Sequence, residues 1–180
     1  MKTSDFLDGN VWLAPVWDLH EHSDSARSWF EQFADGRFLF CRFTQITVLR
    51  LMTTAAVMGA DVRTMKGAWE IWDQIASDDR VEFLAEPDDL EPRFRKNSRL
   101  TSPSPKVWAY AYLLALVQAV GLTLVTFDHA LGNRAGGGDY FTLTVTPVRL
   151  VAVPIPSSNS ASPAGASSNV GGRLGSRRCR

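Results

Sequence analysis

The feature that most constrains this 180-residue chain is the stretch from Val107 to Phe127, which contains no charged residue. Pro105 precedes it and Gly121 interrupts it. The first part, from Lys106 to about Val120, is apolar on nearly all sides, which predicts a helix packed between other elements. Proline at its start and glycine just past its end fit the usual asymmetry of helix termini. The second part, Leu122-Thr123-Leu124-Val125-Thr126, is β-branched and apolar and predicts a buried strand. No run reaches the roughly 18 consecutive apolar residues that span a bilayer. The stretch therefore reads as the centre of a folded core.

The flanking sequence alternates in the same way. Phe6-Leu7-Asp8 reads as the end of a short strand, Gly9 as a turn, and Asn10 as the cap of a helix starting at Val11 and limited by Pro15. Ala26, Trp29, Phe30 and Phe33 share a face over 24–33. A strand is predicted over 37–41. Thr44 caps a predicted helix to about Met58, and Thr64 caps another whose stripe is Met65, Trp69, Trp72, Ile75 and Ala76. A strand over 81–84, a short helix and exposed loop over 87–99, and late strands over 140–145 and 148–153 complete the pattern. The late strands follow a loose loop at Gly136-Gly137-Gly138. Strands alternating with helices argue for an α/β sandwich around a mostly parallel sheet.

Composition sets the limits of that domain. With 45% apolar and 21% charged residues, the chain is not disordered, collagen-like or a coiled coil. After Pro156 the sequence turns to Ser, Gly and Arg with no acidic residue. Such a segment buries too little apolar area to offset chain entropy. The expected organisation is one domain over 1–156 and a disordered tail over 157–180. The whole chain has zero formal net charge, but four arginines lie in the tail. The domain is thus mildly acidic, and any contact with nucleic acid needs a local basic patch. Cys41 and Cys179 make neither a disulfide framework nor a zinc site. Met1-Lys2-Thr3-Ser4-Asp5 lacks the apolar region of a signal peptide, so the expectation is a cytoplasmic protein with no membrane association.

Parallel sheets place ligands outside the carboxyl ends of their strands. Asp8 and Asp128 both sit there. Two converging carboxylates repel unless a cation or a proton separates them, and hard oxygen ligands suit Mg²⁺. The alternative is that each aspartate caps the helix that follows. His20 and His22 form an H-x-H pair, but without further ligands they read as part of a loop beside the cleft. His129 is a weaker candidate base, best read as solvent-facing. Arg93, Arg95, Lys96 and Arg99, with Lys106 beyond them, are the best basic patch for an RNA backbone. No G-x-S-x-G nucleophile elbow supports a serine hydrolase.

Three stretches carry a resemblance to a known family. Phe6-Leu7-Asp8-Gly9-Asn10-Val11-Trp12-Leu13-Ala14 resembles the "LDxNVLLA" opening of PIN domains of the VapC type, the toxins of bacterial toxin–antitoxin pairs. Thr44-Gln45-Ile46-Thr47-Val48-Leu49-Arg50-Leu51 is similar to the "TQxxxLRLL" helix of one subfamily. Trp108-Ala109-Tyr110-Ala111-Tyr112-Leu113-Leu114-Ala115, followed by Leu124-Val125-Thr126-Phe127-Asp128-His129-Ala130-Leu131, is similar to "(W/T)xDAYLLA…LxTFDxxL". The resemblance covers roughly residues 4–150.

It implies a PIN-like three-layer α/β sandwich and a metal-dependent endoribonuclease. Asp8 matches the family's first acid and Asp128 its last, the implied catalytic residues and ligands of Mg²⁺ or Mn²⁺. Asn10 and Thr126 match positions that orient a ligand or water, or alternatively cap the backbone. Gln45 stands where many PIN domains have Glu, as is usual in the TQ subfamily. Tyr110 departs further, standing where the family motif has Asp. A phenol with a pKa near ~10 is a poor Mg²⁺ ligand at neutral pH, and it is large enough to fill a metal cavity. The resemblance also implies a cognate antitoxin, an RNA substrate and a homodimer. Most Trp and Phe read as core, and exposed ones near Trp12 and Trp17 could receive an antitoxin helix. The rival reading is an inactive PIN domain that only binds antitoxin or RNA.

Overall fold

The computed structural model describes residues 4–131 and 140–142. Five strands form one sheet in the order β3-β2-β1-β4-β5, and every neighbouring pair is parallel. They are β1 (Ser4–Leu7), β2 (Arg37–Phe40), β3 (Val81–Phe83), β4 (Thr123–Thr126) and β5 (Tyr140–Thr142). Between them run α1 (Gly9–Leu13), α2 (Ser23–Gln32), α3 (Arg42–Met52), α4 (Ala55–Met58), α5 (Met65–Ala76), α6 (Leu90–Ser98) and α7 (Pro105–Val120).

The three layers follow from the two-residue alternation of side chains along each strand. On β2, Phe38 and Phe40 face one core and Leu39 the other. On β1, Leu7 joins the first core and Phe6 the second; on β4, Val125 and Leu124 divide likewise. Helices α1, α2, α3 and α5 cover the first face, and α6 and α7 the second. Trp12 is the centre of the first core, with Phe40 and Trp72 packed edge-on at 6.2 Å each. Helix α7, charged only at Lys106, buries Val107, Ala111 and the run Leu113–Val117. It ends where Gly121 adopts a left-handed φ of 68°, which glycine reaches without penalty.

Several boundaries differ from the sequence expectation for local reasons. Asp8, not Asn10, caps α1: its Oδ1 accepts from the Gly9 N–H at 2.7 Å. Helix α3 starts at Arg42, with Cys41 at the cap position. Thr44 sits one turn inside and reaches back, its Oγ1 accepting from the Cys41 N–H at 3.0 Å. The helix predicted to Met58 breaks at Thr53 and Thr54, whose hydroxyls donate back to the Arg50 carbonyl. On α5 the stripe is narrower than predicted. Ala68 and Trp72 are buried, while Met65 is 70% and Trp69 43% exposed. The predicted strand over 148–153, the glycine loop and the tail over 157–180 lie outside the described residues.

One close approach fixes the site end of the fold. A Cβ at Gly9 would lie 2.7 Å from Thr47 Cγ2 and 3.2 Å from Thr47 Cβ. Glycine at this position lets α1 pack against α3 directly after Asp8. Gly9→Ala should therefore destabilise the protein by about 1–3 kcal/mol, the usual cost of overpacking. Thr47→Ser in the same chain removes the nearer methyl and should recover part of the loss. Chemical denaturation of the three variants checks this; an unchanged midpoint for Gly9→Ala would contradict the packing account.

Candidate active site

The strand order places a switch point between β1 and β4. From β1 the chain moves outward to β2 and β3 on one side, and β4 and β5 lie on the other. Loops leaving the carboxyl ends of two such strands diverge and open a crevice there. Asp8 directly follows β1, and Asp128 lies two residues past the end of β4.

Thr126 ties the two together. Its hydroxyl donates to Asp8 Oδ2 at 3.0 Å and accepts from the Asp128 backbone N–H at 3.0 Å. Thr126 itself is fully buried. Both aspartates split their oxygens between two tasks. Asp8 Oδ1 holds the Gly9 N–H, leaving Oδ2 for Thr126. Asp128 Oδ1 accepts from the Ala130 and Leu131 N–H groups at 2.8 and 3.2 Å, leaving Oδ2 facing α7. Capping and participation in a site are therefore compatible here.

Tyr110 occupies the free side of Asp128. Its hydroxyl donates to Asp128 Oδ2 at 2.5 Å, across from the buried part of α7. Lys106, one turn earlier on α7, adds a positive charge that acts on Asp128. The electrostatics of the two carboxyls consequently diverge. Burial pushes Asp8 above its ordinary value; the Thr126 and Gly9 bonds oppose this, and the Asp128 charge adds to it. Burial also acts to raise Asp128, but the bonds from Tyr110, Leu131 and Ala130 and the Lys106 charge hold it below its ordinary value.

The remaining sequence candidates fall in different places. Asn10 is exposed on α1 and lines a cavity of about 290 Å³ with His20, Glu21, His22, Phe127 and Asp128. Gln45 is buried, and its carbonyl oxygen accepts from the Arg42 guanidinium. His129 is exposed. On α6, Arg93 pairs with Asp89 at 2.8 Å and Arg95 with Glu91 at 2.6 Å, whereas Lys96, and Arg99 just past the helix, have no acidic partner among the described residues. Trp12 is 1% exposed and belongs to the core, so it cannot meet a partner; Trp17 is half-buried, and its Nε1 donates to Asp61 at 3.0 Å. The most exposed aromatic side chain of the neighbouring groove is Trp108. It shares that groove, of about 470 Å³, with Phe43, Ile46, Arg50, Lys106 and Tyr110.

Among the described residues, no group of three or more Asp, Glu, His or Cys side chains is arranged to hold a metal. Two carboxylates with neutral oxygens around them still match a Mg²⁺ or Mn²⁺ ion that keeps most of its water, since such ions need only one or two protein carboxylates. The site is thus a pair of carboxylates, joined by one hydroxyl, at the switch point of a parallel sheet.

Comparison with known proteins places the chain in a family. No protein-family model matches the chain. It is 40% identical over 134 residues to the ribonuclease VapC41 of Mycobacterium tuberculosis, an alignment covering 72% of this chain and 92% of that protein. It is 27% identical over 143 residues to the ribonuclease VapC39 of the same organism, covering 73% and 94%. The fold is similar to a chain in the crystal structure of VapBC2 from Rickettsia felis bound to a promoter DNA fragment. That match has a TM-score of 0.53 and 12% identity, and covers 78% of this chain and 98% of that one. It is also similar to PAE2754 from Pyrobaculum aerophilum, with a TM-score of 0.51 and 16% identity, covering 79% and 92%. The chain belongs to the VapC family of PIN-domain proteins.

The raised Asp8 pKa gives a test of this half-buried carboxyl. A carboxyl whose folded pKa exceeds its unfolded value favours folding while protonated and loses that contribution as pH rises through the folded pKa. In metal-free buffer, Asp8→Asn should therefore be the more stable form at pH 7. The gap should close as pH falls below the ordinary carboxylate range. Denaturation midpoints of the two proteins at pH 3 and pH 7 measure it; a pH-independent gap would show that Asp8 is not perturbed by burial.

Proposed function

We propose that this protein is a metal-dependent endoribonuclease, the toxin of a toxin–antitoxin pair. The observation that carries the reading is the Thr126 hydroxyl between Asp8 and Asp128 at the switch point of the sheet. The relatives named ribonucleases support the substrate class. Asp8 and Asp128 would hold one Mg²⁺ or Mn²⁺ ion, which when bound supplies positive charge to the phosphodiester and acidifies an attacking water.

The chain's own groups do the positioning. Thr126 fixes Asp8 Oδ2 and anchors the backbone of Asp128 in one gesture. The Gly9, Ala130 and Leu131 N–H groups hold the other oxygens, so neither carboxyl rotates freely. Lys106 offers charge for a phosphate on the α7 side. Lys96 and Arg99 are the members of the α6 basic patch left for RNA, since Arg93 and Arg95 are already paired.

The Tyr110–Asp128 bond favours a second reading, an inactive PIN domain that only binds antitoxin or RNA. The phenol carries no charge at pH 7 and engages an oxygen that a metal would use. Activity of the unmodified chain is accordingly weak in our reading. The antitoxin would cover the groove beside Tyr110, where Ile46 is 55% and Trp108 60% exposed. A homodimer in the cytoplasm is part of the same proposal. Among the described residues no helix is long and apolar enough to cross a membrane.

Cleavage of a labelled RNA with Mg²⁺ or Mn²⁺ tests the reading. The parent should cut slowly, and Asp8→Asn or Asp128→Asn should lower the rate by about tenfold or more, a loss of at least ~1.4 kcal/mol of transition-state stabilisation. Tyr110→Asp should raise it and make it fully sensitive to EDTA. Cleavage by Asp8→Asn at the parent rate would contradict the assignment of the site. A folded Tyr110→Asp with no cleavage would favour the inactive reading.

A further inference from the structure

The H-x-H pair that the metal chemistry leaves unused lines the cavity next to Asp128. Its rings form a continuous aromatic wall. His22 stacks on Phe127, with centroids 4.3 Å apart and planes 30° apart. His20 lies 5.6 Å from His22 and 6.0 Å from Phe127, and Trp17 meets it edge-on at 5.8 Å. Trp17 is in turn held by its Nε1–Asp61 bond. The wall is tied to the carboxylate site through the chain itself, because Phe127 sits between Thr126 and Asp128.

Neither imidazole is consumed by capping. His22 stands at the cap position of α2 without a side-chain bond to the helix. Its Nδ1 is buried and has no hydrogen-bond partner among the described residues. Its Nε2 lies 3.3 Å from the Glu21 carboxylate. His20 Nδ1 accepts from the His22 backbone N–H at 3.1 Å, which leaves its Nε2 as the donor of the neutral ring.

The chemistry of the lining selects the ligand. Glu21 and Asp128 repel a bare phosphate, so the cavity is not an anion site. The same carboxylates, with the Asn10 amide, accept from or donate to sugar hydroxyls and base edges. Rings provide the flat surface on which a base stacks, and His20 Nε2–H offers a donor to a base carbonyl or ring nitrogen. At about 290 Å³ the space is at the lower end of small-ligand sites, of the order of a single nucleoside.

We propose that His20, His22 and Phe127 form a nucleoside subsite for single-stranded RNA, receiving the nucleotide next to the phosphate that a cation at Asp8 and Asp128 would engage. This rests on the ribonuclease reading above. The subsite would make the pair specificity-determining residues, reading the base and its 2′-OH, with no part in the metal chemistry.

Histidine side-chain NMR tests it directly, because the chain has only three histidines. Ring signals of His20 and His22, assigned with His20→Gln and His22→Gln, are followed while a short single-stranded oligoribonucleotide is added to the full chain. Ca²⁺ replaces Mg²⁺ to limit cleavage, and fluorescence anisotropy gives the affinities in parallel. Both ring signals should shift with RNA and shift less with DNA of the same sequence. His20→Ala should weaken RNA binding about five- to tenfold and reduce the preference for RNA over DNA. RNA binding by the parent with unmoved His20 and His22 signals, or with unchanged affinity in a folded His20→Ala, overturns the subsite and leaves the ribonuclease reading standing. No RNA binding by the parent overturns both.

Discussion

The site depends on one hydroxyl. Thr126 closes β4, and its Oγ1 both donates to Asp8 at the end of β1 and accepts from the backbone of Asp128. Two carboxylates at the ends of neighbouring parallel strands repel each other, and nothing in strand pairing fixes their side chains. A fully buried hydroxyl that serves both converts two loosely defined acids into one unit. Its position follows from the sheet. The β1–β4 pairing sets Leu7 opposite Val125, so Asp8 and Thr126 emerge together at the switch point.

The same economy appears in the carboxylates. Each uses one oxygen to start the segment that follows and keeps the other for the crevice. Gly9 makes this possible at α1, since any side chain there would meet Thr47. What separates the two acids is their surroundings. Asp8 is half-buried and raised by desolvation, whereas Asp128 is held down by Tyr110, backbone donors and Lys106. A cation between them would relieve the strain on Asp8, but it must compete with the Tyr110 phenol for Asp128.

Much of this was legible in the sequence. The charge-free run over 107–127 specified the buried helix and strand, and alternation along the chain specified the parallel sheet. Asp8, Asp128 and Tyr110 stood out as sequence positions, and the Tyr110–Asp128 contact gives that departure a physical form. What the sequence concealed was pairwise. Asn10 looked like a cap because Asn is a good one, yet Asp8 two residues earlier captured the first N–H. Met65 and Trp69 looked like core because they share helical spacing with Trp72, but both are exposed, at the edge of a groove that α5 forms with α3. Trp12 looked available to a partner, whereas three rings enclose it. Arg93 and Arg95 counted toward a basic patch until their i−4 acids were seen to pair with them. Such outcomes depend on neighbours that no local pattern specifies.

The central proposal is that Asp8 and Asp128, joined by Thr126, would hold a divalent cation. Thermal unfolding of the parent and of Asp8→Asn against increasing Mn²⁺ measures it most directly. Binding to the folded state alone should raise the parent's stability progressively, by about 1.4 kcal/mol when Mn²⁺ is tenfold above its Kd. Asp8→Asn should show little or no response. An equal response in both proteins, or none in the parent, would contradict the account.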